Sequence, residues 1–259
     1  ANVALIGYGM IGGTCVNVGC VPSKTMIRAA EALHGARAAD RFAGITGDAR
    51  VTDWKKLVAA KDTLVETLRQ KKYIDLLPEY NGVAYLEGAA QIAAGGVIVN
   101  GTAIATDRVI IATGSAPALP DIPGIAETPY LTSTTALELT ELPRSLLVIG
   151  GGYIGCELAQ MFARSGVAVT LITRSRLLHE AEPEISDALT GYLEDEGITV
   201  LIGLSYRGIS KTDNGVTLSI DRNGSIEEIE ASQVLLTTGR TPNTAGLGLE
   251  DAGISLTPN

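Results

Sequence analysis

Apolar and polar positions follow two periods along the chain, and the switches between them predict strands alternating with helices. Val3-Ala4-Leu5-Ile6 is a short apolar run closed by glycine and predicts a buried strand. Apolar residues then recur at helical spacing over 26–37 and over 54–77. The stretch 83–104 is rich in glycine, alternates with period two and predicts hairpins. Arg108-Val109-Ile110-Ile111-Ala112-Thr113-Gly114 is a continuous β-branched run, the pattern of a strand buried on both faces. Pro117, Pro120, Pro123 and Gly124 follow; they disfavour helix and central strand and place a domain boundary there.

Beyond that boundary the pattern tightens into a βαβ unit: a strand at Leu146-Leu147-Val148-Ile149, a helix over 155–165 and a strand over 167–173. A helix over 187–196 and strands near 200–202 and 216–222 come next. Val234-Leu235-Leu236-Thr237-Thr238-Gly239 then repeats the order of residues 109–114: valine, two hydrophobic residues, a small residue, Thr-Gly. The repeat predicts an α/β chain with two related, Rossmann-like nucleotide-binding halves on central parallel sheets. The expected spans are 1–122, 123–243, and a return to the first half over 244–259.

Composition narrows the function. Of 259 residues, 46% are hydrophobic and 19% charged, enough apolar content for a large core. The net charge of −9 repels phosphate backbones and anionic lipid, so neither a nucleic-acid nor a membrane-surface partner is expected. No apolar run approaches the roughly 20 residues that cross a bilayer, and the first residues lack a secretory pattern. Cys15, Cys20 and Cys156 are too few for a disulfide framework, which points to a reducing, cytoplasmic compartment.

Gly150-Gly151-Gly152-Tyr153-Ile154-Gly155 fits G-x-G-x-x-G in the required context, after a strand and at the head of a helix. In such a turn Gly150 allows the bend, Gly152 lets a pyrophosphate approach, and Gly155 lets helix and strand pack closely. The second strand ends in Thr173-Arg174-Ser175-Arg176 rather than in an acid, and two cations suit the 2′-phosphate of NADPH. The plainer alternative is a tight turn beside a solvated basic edge.

The densest stretch is Gly12-Gly13-Thr14-Cys15-Val16-Asn17-Val18-Gly19-Cys20-Val21-Pro22-Ser23-Lys24. In a regular helix residues five apart lie roughly 8–9 Å apart at Cα, whereas a disulfide needs about 4.4–6.8 Å. A bond between the sulfurs therefore requires an irregular segment, which Gly19 eases. Lys24 and the positive end of the following helix would both favour a thiolate. A redox-active dithiol is one reading. Two structural thiols, or half of a zinc site, are the others, although His34 and His179 are poorly spaced as further ligands.

Residues 12–24, with Ala112-Thr113-Gly114, Gly150–Glu157 and Thr238-Gly239-Arg240-Thr241-Pro242-Asn243, resemble the flavoprotein disulfide reductases. That family includes glutathione reductase, dihydrolipoamide dehydrogenase and mercuric reductase. Thr25-Met26-Ile27-Arg28-Ala29-Ala30 and Thr128-Pro129-Tyr130-Leu131-Thr132-Ser133-Thr134 are most similar to the mercuric branch. The resemblance implies a relay from NADPH through FAD to a Cys15–Cys20 disulfide, and from the dithiol to Hg(II), giving Hg(0). Cys15 would be the interchange thiol and Cys20 the one beside the flavin, both transient ligands of Hg(II), a soft cation suited to thiolates. Lys24 would sit near the flavin and pair with Glu157. Thr14, Ala89, Thr113, Gly114 and Ser133 would line the FAD site. Tyr153 would cover the nicotinamide pocket, with Ile154, Gly239 and Arg240 also at the cofactors. Arg174 and Arg176 would hold the 2′-phosphate, although only Arg174 aligns cleanly. For Glu157 the alternative is a solvated helix face, for Tyr153 plain packing, and Cys156 reads as a small buried hydrophobe. Another disulfide reductase, or a nucleotide- and thiol-metal-binding remnant without turnover, are the competing functions.

The chain departs from the family in two places. Gly7-Tyr8-Gly9-Met10-Ile11-Gly12 fits the fingerprint too, which would put Gly7, Gly9 and Gly12 at the FAD pyrophosphate, but it runs straight into the cysteine motif. A βαβ unit takes roughly 30 residues. About 20 residues beyond Gly12 lie Glu31 and Ala32, inside a helical pattern, where an acid at a strand end belongs. The expectation is an incomplete or internally deleted reductase, its first unit missing most of its body between Gly12 and Gly13 or nearby. The family's dimerisation domain, through which it forms homodimers, is also not in this sequence. NADPH binding is expected to survive better than tight FAD binding.

Overall fold

The computed structural model describes residues 2–257. In chain order the first elements are β1 (Val3–Gly7), α1 (Gly13–Asn17), α2 (Cys20–Arg37), α3 (Trp54–Arg69), β2 (Val83–Glu87), β3 (Ala90–Ala93), β4 (Gly96–Val99), β5 (Thr102–Ala105) and β6 (Ser115–Pro117). Then follow β7 (Leu131–Thr132), α4 (Ser133–Ala136), β8 (Ser145–Ile149), α5 (Tyr153–Arg164), β9 (Ala168–Ile172), α6 (Pro183–Asp195) and β10 (Thr199–Leu201). The last are β11 (Ser205–Thr212), β12 (Gly215–Arg222), β13 (Ser225–Ala231), β14 (Gln233–Leu236) and β15 (Arg240–Pro242).

These elements form two compact units. One takes the residues up to Asn17, Leu64–Ala116 and those from Thr241; the other takes Val18–Thr63 and Pro117–Arg240. The second unit thus includes residues 18–63, which the sequence pattern assigns to the first half. The reason is packing: Met26 and Ala30 of α2 and Trp54 and Val58 of α3 are buried in one cluster with α5. Trp54 Nε1 donates to the Leu139 carbonyl at 2.7 Å, which seats the indole nitrogen while the ring stays dry.

The second unit is built on a parallel sheet in the order β10-β9-β8-β14-β7. Its centre, Leu146-Leu147-Val148-Ile149, is fully buried, and alternation splits it between two cores. Leu146 and Val148 pack with Leu158, Ala159, Met161 and Phe162 of α5. Leu147 and Ile149 pack with Ile209, Leu218 and Ile220 of the antiparallel sheet β11-β12-β13. Each such side chain stabilises the fold by about 1.5–3 kcal/mol through area removed from water. On α5 the buried residues fall at i, i+1, i+3 and i+4, the stripe of an amphipathic helix.

The first unit is thinner. β1 and β2 pair in parallel, Val3 opposite Val83 through Gly7 opposite Glu87, and β3-β4-β5 form an antiparallel meander, the hairpins expected over 83–104. Two expectations are corrected here. Val3 and Leu5 are exposed although β1 is a strand, and residues 108–114 form no strand, with Ile110 91% exposed. A strand buried on both faces needs a hydrogen-bonded neighbour on each edge, and the parallel sheet of this unit has two strands among the described residues. The helical pattern over 54–77 also divides, α3 ending at Arg69 in a wider turn over Gln70–Ile74.

Candidate active site

In the second unit β8 runs through the glycine turn into α5. Gly150 has φ +120°, and a Cβ there would lie 2.5 Å from the Thr237 carbonyl oxygen. A Cβ at Gly155 would lie 1.9 Å from the Gly150 carbonyl oxygen, so helix and turn touch backbone to backbone. At Gly152 a Cβ would meet nothing within 4 Å, which leaves the face of the turn open. Gly152 is also the N-cap of α5 and offers no side chain to the first-turn N–H groups, so these remain for an anion. The turn therefore fits a dinucleotide pyrophosphate. Thr237 holds it: its Oγ1 donates to the Ile149 and Gly150 carbonyls at 3.1 and 2.9 Å. Tyr153 and Ile154 begin the helix, Tyr153 being 68% exposed.

The two arginines beyond β9 separate. Arg174 is exposed and makes no hydrogen bond or ion pair among the described residues. Arg176 turns back, its Nη2 donating to the His179 and Ala181 carbonyls at 3.0 and 2.8 Å, with Nε buried and unpartnered. Arg176 thus orders the loop that follows, while Arg174 stands open to solvent. Burial pushes the Tyr206 phenol up to about 12, against the opposing charge of Arg174.

α2 opens with Cys20, and Lys24, one turn on, forms an ion pair with Glu157 in the first turn of α5. Both side chains are about half exposed, so the pair orients α2 on α5 and adds at most about 1 kcal/mol. At the other end of α2, Arg37 donates to the Ala49 and Arg164 carbonyls at 2.9 and 2.8 Å. Beside it Glu196 accepts two bonds from Arg164, both 2.6 Å, and one from Gln160 at 2.9 Å. Burial alone would raise the Glu196 carboxyl, but the bonds and charge of Arg164, with His34 and Gln160, hold it below the ordinary carboxylate value.

Cys15 lies in α1 and Cys20 begins α2, with the helix broken over Val18 and Gly19, and no disulfide joins the two in this structure. Both are exposed thiols, whereas Cys156 is buried and burial pushes its thiol up to about 11. No group of three or more His, Cys, Asp and Glu residues gathers as a metal site among the described residues.

The first glycine match does not form a cradle. Residues 9–12 are bend and turn, and the helix that follows, α1, has five residues. A Cβ at Gly9 would meet nothing, as at Gly152, but one at Gly12 would press on the Val16 side chain of that same short helix rather than on the backbone of the turn. Gly7, Gly9 and Gly12 therefore lack the strand–turn–helix packing seen at Gly150–Gly155. Of the other residues expected around FAD, the first unit brings Thr14, Thr113 and Gly114 together: a Cβ at Gly114 would stand 3.7 Å from Thr14 Oγ1. Ala89 is exposed in the turn between β2 and β3. Ser133 begins α4 in the second unit, behind a capping box made by Thr132 and Thr135. Gly239 accepts from Ala118 N at 3.0 Å, and Arg240 begins β15. Asn243 completes the group, joined to Thr113 and Gly114 by three hydrogen bonds.

The family model for pyridine nucleotide-disulphide oxidoreductases matches residues 1–259. The chain belongs to that family. Flavoproteins of this family use a flavin and a pyridine nucleotide. A mercuric reductase of Staphylococcus aureus is 46% identical over 256 residues, covering 98% of this chain and 46% of the relative. A mercuric reductase of Lysinibacillus sphaericus is 44% identical over 260 residues, covering 100% and 47%. This oxidoreductase chain thus spans about half the length of the relatives it matches. Among solved structures, the HOCl-induced flavoprotein disulfide reductase RclA of Escherichia coli superposes with a TM-score of 0.83 at 32% identity, covering 99% of this chain and 55% of that one. The match to the Lysinibacillus protein takes in the whole chain over 260 residues, leaving room for a residue or so of insertion. That overturns the expected deletion between Gly12 and Gly13: the glycine turn leads into the cysteine segment without a break.

Proposed function

We propose that this chain carries the thiol and nucleotide machinery of a mercury(II) reductase. Electrons from NADPH pass to Hg(II) through the Cys15–Cys20 pair, in the reducing cytoplasm. The observation that carries the reading is two exposed thiols on helices broken at Gly19, in a chain 46% identical to a mercuric reductase. FAD, when bound, supplies a two-electron carrier between the nicotinamide and the dithiol. For that cofactor the fit is limited to Thr14, Thr113 and Gly114, since Gly7–Gly12 makes no cradle. The steps assigned to these residues are therefore nucleotide and thiol binding.

The open face at Gly152 and the free N–H groups of α5 receive the NADPH pyrophosphate. Arg174 takes the 2′-phosphate, and Tyr153 covers the nicotinamide end. Lys24, held by Glu157, keeps a positive charge one helical turn from Cys20. Cys15 meets the incoming Hg(II)–thiol complex, and Cys15 and Cys20 displace its ligands as thiolates. The Cys15 and Cys20 thiolates give two electrons to the Hg(II) they bind, which leaves as Hg(0) as the pair closes to a disulfide; the displaced low-molecular-weight thiolates take up protons from solvent, and two electrons from NADPH, which FAD would carry when bound, reopen the disulfide.

A second reading, binding without turnover, is favoured by the lack of a cradle in the first unit. Anaerobic NADPH oxidation with Hg(II), excess low-molecular-weight thiol and added FAD separates the two. Mercury-dependent consumption that vanishes in Cys15→Ala supports reduction. NADPH and Hg(II) binding with no consumption supports the second reading, and absence of both binding events contradicts the proposal.

A further inference from the structure

The two sequence repeats end in Thr113-Gly114 and Thr238-Gly239, and each end makes the same pair of hydrogen bonds. Thr113 Oγ1 donates to the Asn243 carbonyl at 2.8 Å, and Asn243 N donates to the Gly114 carbonyl at 2.9 Å. Thr238 Oγ1 donates to the Ala118 carbonyl at 3.3 Å, and Ala118 N donates to the Gly239 carbonyl at 3.0 Å. Each receiving residue lies five positions beyond the threonine of the opposite repeat. The two motifs thus follow one reciprocal pattern, each half of it closed inside its own unit.

The side chain at the receiving position breaks the equivalence. Ala118 has no polar group there. Asn243 adds a third bond, Nδ2 donating to the Thr113 carbonyl at 3.0 Å. That bond lies on the unit that holds Cys15. Gly114 has φ +72°, and a Cβ placed on it would stand 3.7 Å from Thr14 Oγ1 and 4.0 Å from Asn243 Nδ2. Thr14 is the residue before Cys15 in α1.

We propose that Asn243 is a positioning residue for Cys15: its three hydrogen bonds hold the Thr113–Gly114 turn beside Thr14 and so fix the helix that presents the thiol. The proposal rests on reading Cys15 as the substrate-facing thiol. Its side-chain bond requires a donor at Nδ2, which aspartate lacks and alanine removes. That side-chain bond is exposed, so its loss loosens the segment several-fold and leaves the fold intact, the two backbone bonds of Asn243 remaining.

The test is residue-resolved iodoacetamide labelling of the full chain, read by mass spectrometry, with amide exchange over the same peptides. No nucleotide, flavin or mercury is present, so its outcome is independent of the electron-transfer reading. In Asn243→Ala and Asn243→Asp, Cys15 labelling and amide exchange over 13–17 and 112–116 rise about three- to tenfold. Cys20 labelling and the thermal midpoint stay at wild-type values. A Cys15 rate unchanged in both variants overturns the proposal. So does an Asn243→Asp variant that behaves as wild type, or an equal rise at Cys15 and Cys20, which marks general loosening.

Discussion

Gly155 lies so close to Gly150 that a Cβ on the first would sit 1.9 Å from the carbonyl oxygen of the second and 2.7 Å from Thr237 Oγ1. Neither neighbour is the free end of a flexible side chain, so the turn or the helix must move to admit a methyl group. Gly155→Ala is expected to destabilise the second unit by about 1–3 kcal/mol and to weaken NADPH binding at least about tenfold through displacement of the α5 N-terminus. Calorimetric binding and thermal melts check both numbers. Gly152→Ala, at an open position, is expected to weaken binding with little change in the melt.

The arginines give opposite signatures. Arg174→Ala is expected to lower the preference for NADPH over NADH by about tenfold or more while leaving the melting temperature in place, since charge-assisted bonds to phosphate are among the strong ones. Arg176→Ala removes two bonds to loop carbonyls and is expected to cost about 1–2 kcal/mol of stability with a smaller effect on the preference. Fluorescence titration with both nucleotides, beside melts of each variant, distinguishes them.

The three thiols are chemically unlike. Cys15 and Cys20 are exposed, while burial pushes Cys156 up to about 11. At pH 8 the native reduced chain is expected to show two fast-reacting thiols by DTNB and a third only after denaturant is added. Rapid labelling of Cys156 in the folded protein would contradict the packing described for α5.

Glu196 links stability to pH. Its folded pKa lies below the ordinary value because Arg164 outweighs the cost of burial. A carboxyl depressed on folding stabilises fully above its unfolded pKa, about 4.3, and that contribution is lost as pH falls through the folded pKa. Wild type is therefore expected to exceed Glu196→Gln by about 1–3 kcal/mol at pH 7, with the gap closing below about pH 4. Urea melts across pH 3–7 test it.

Much of the second unit is legible in the sequence because strand, glycine turn and helix follow one another within 145–165 and their periods agree. Gly7–Gly12 spells the same letters without that context, and the turn after it opens a five-residue helix instead of a long one. The run 108–114 has the composition of a central strand, yet β-branched residues form one only where both edges find partners. Residues 18–63 read as part of the first half because sequence order says nothing about which helix will cover Met26 and Ala30. Thr237 and Asn243 fall inside motifs that the sequence displays, but their roles are not legible there, since they act on residues 87 or 88 and 130 positions away.

The most direct measurement of the central claim is Hg(II) binding to the reduced chain in competition with excess glutathione, followed by thiol counting. The account predicts one Hg(II) retained per chain, loss of both fast-reacting thiols, and no retention in Cys15→Ala or Cys20→Ala. Retention unchanged in either variant, or a wild-type chain that yields all its mercury to glutathione, would contradict it.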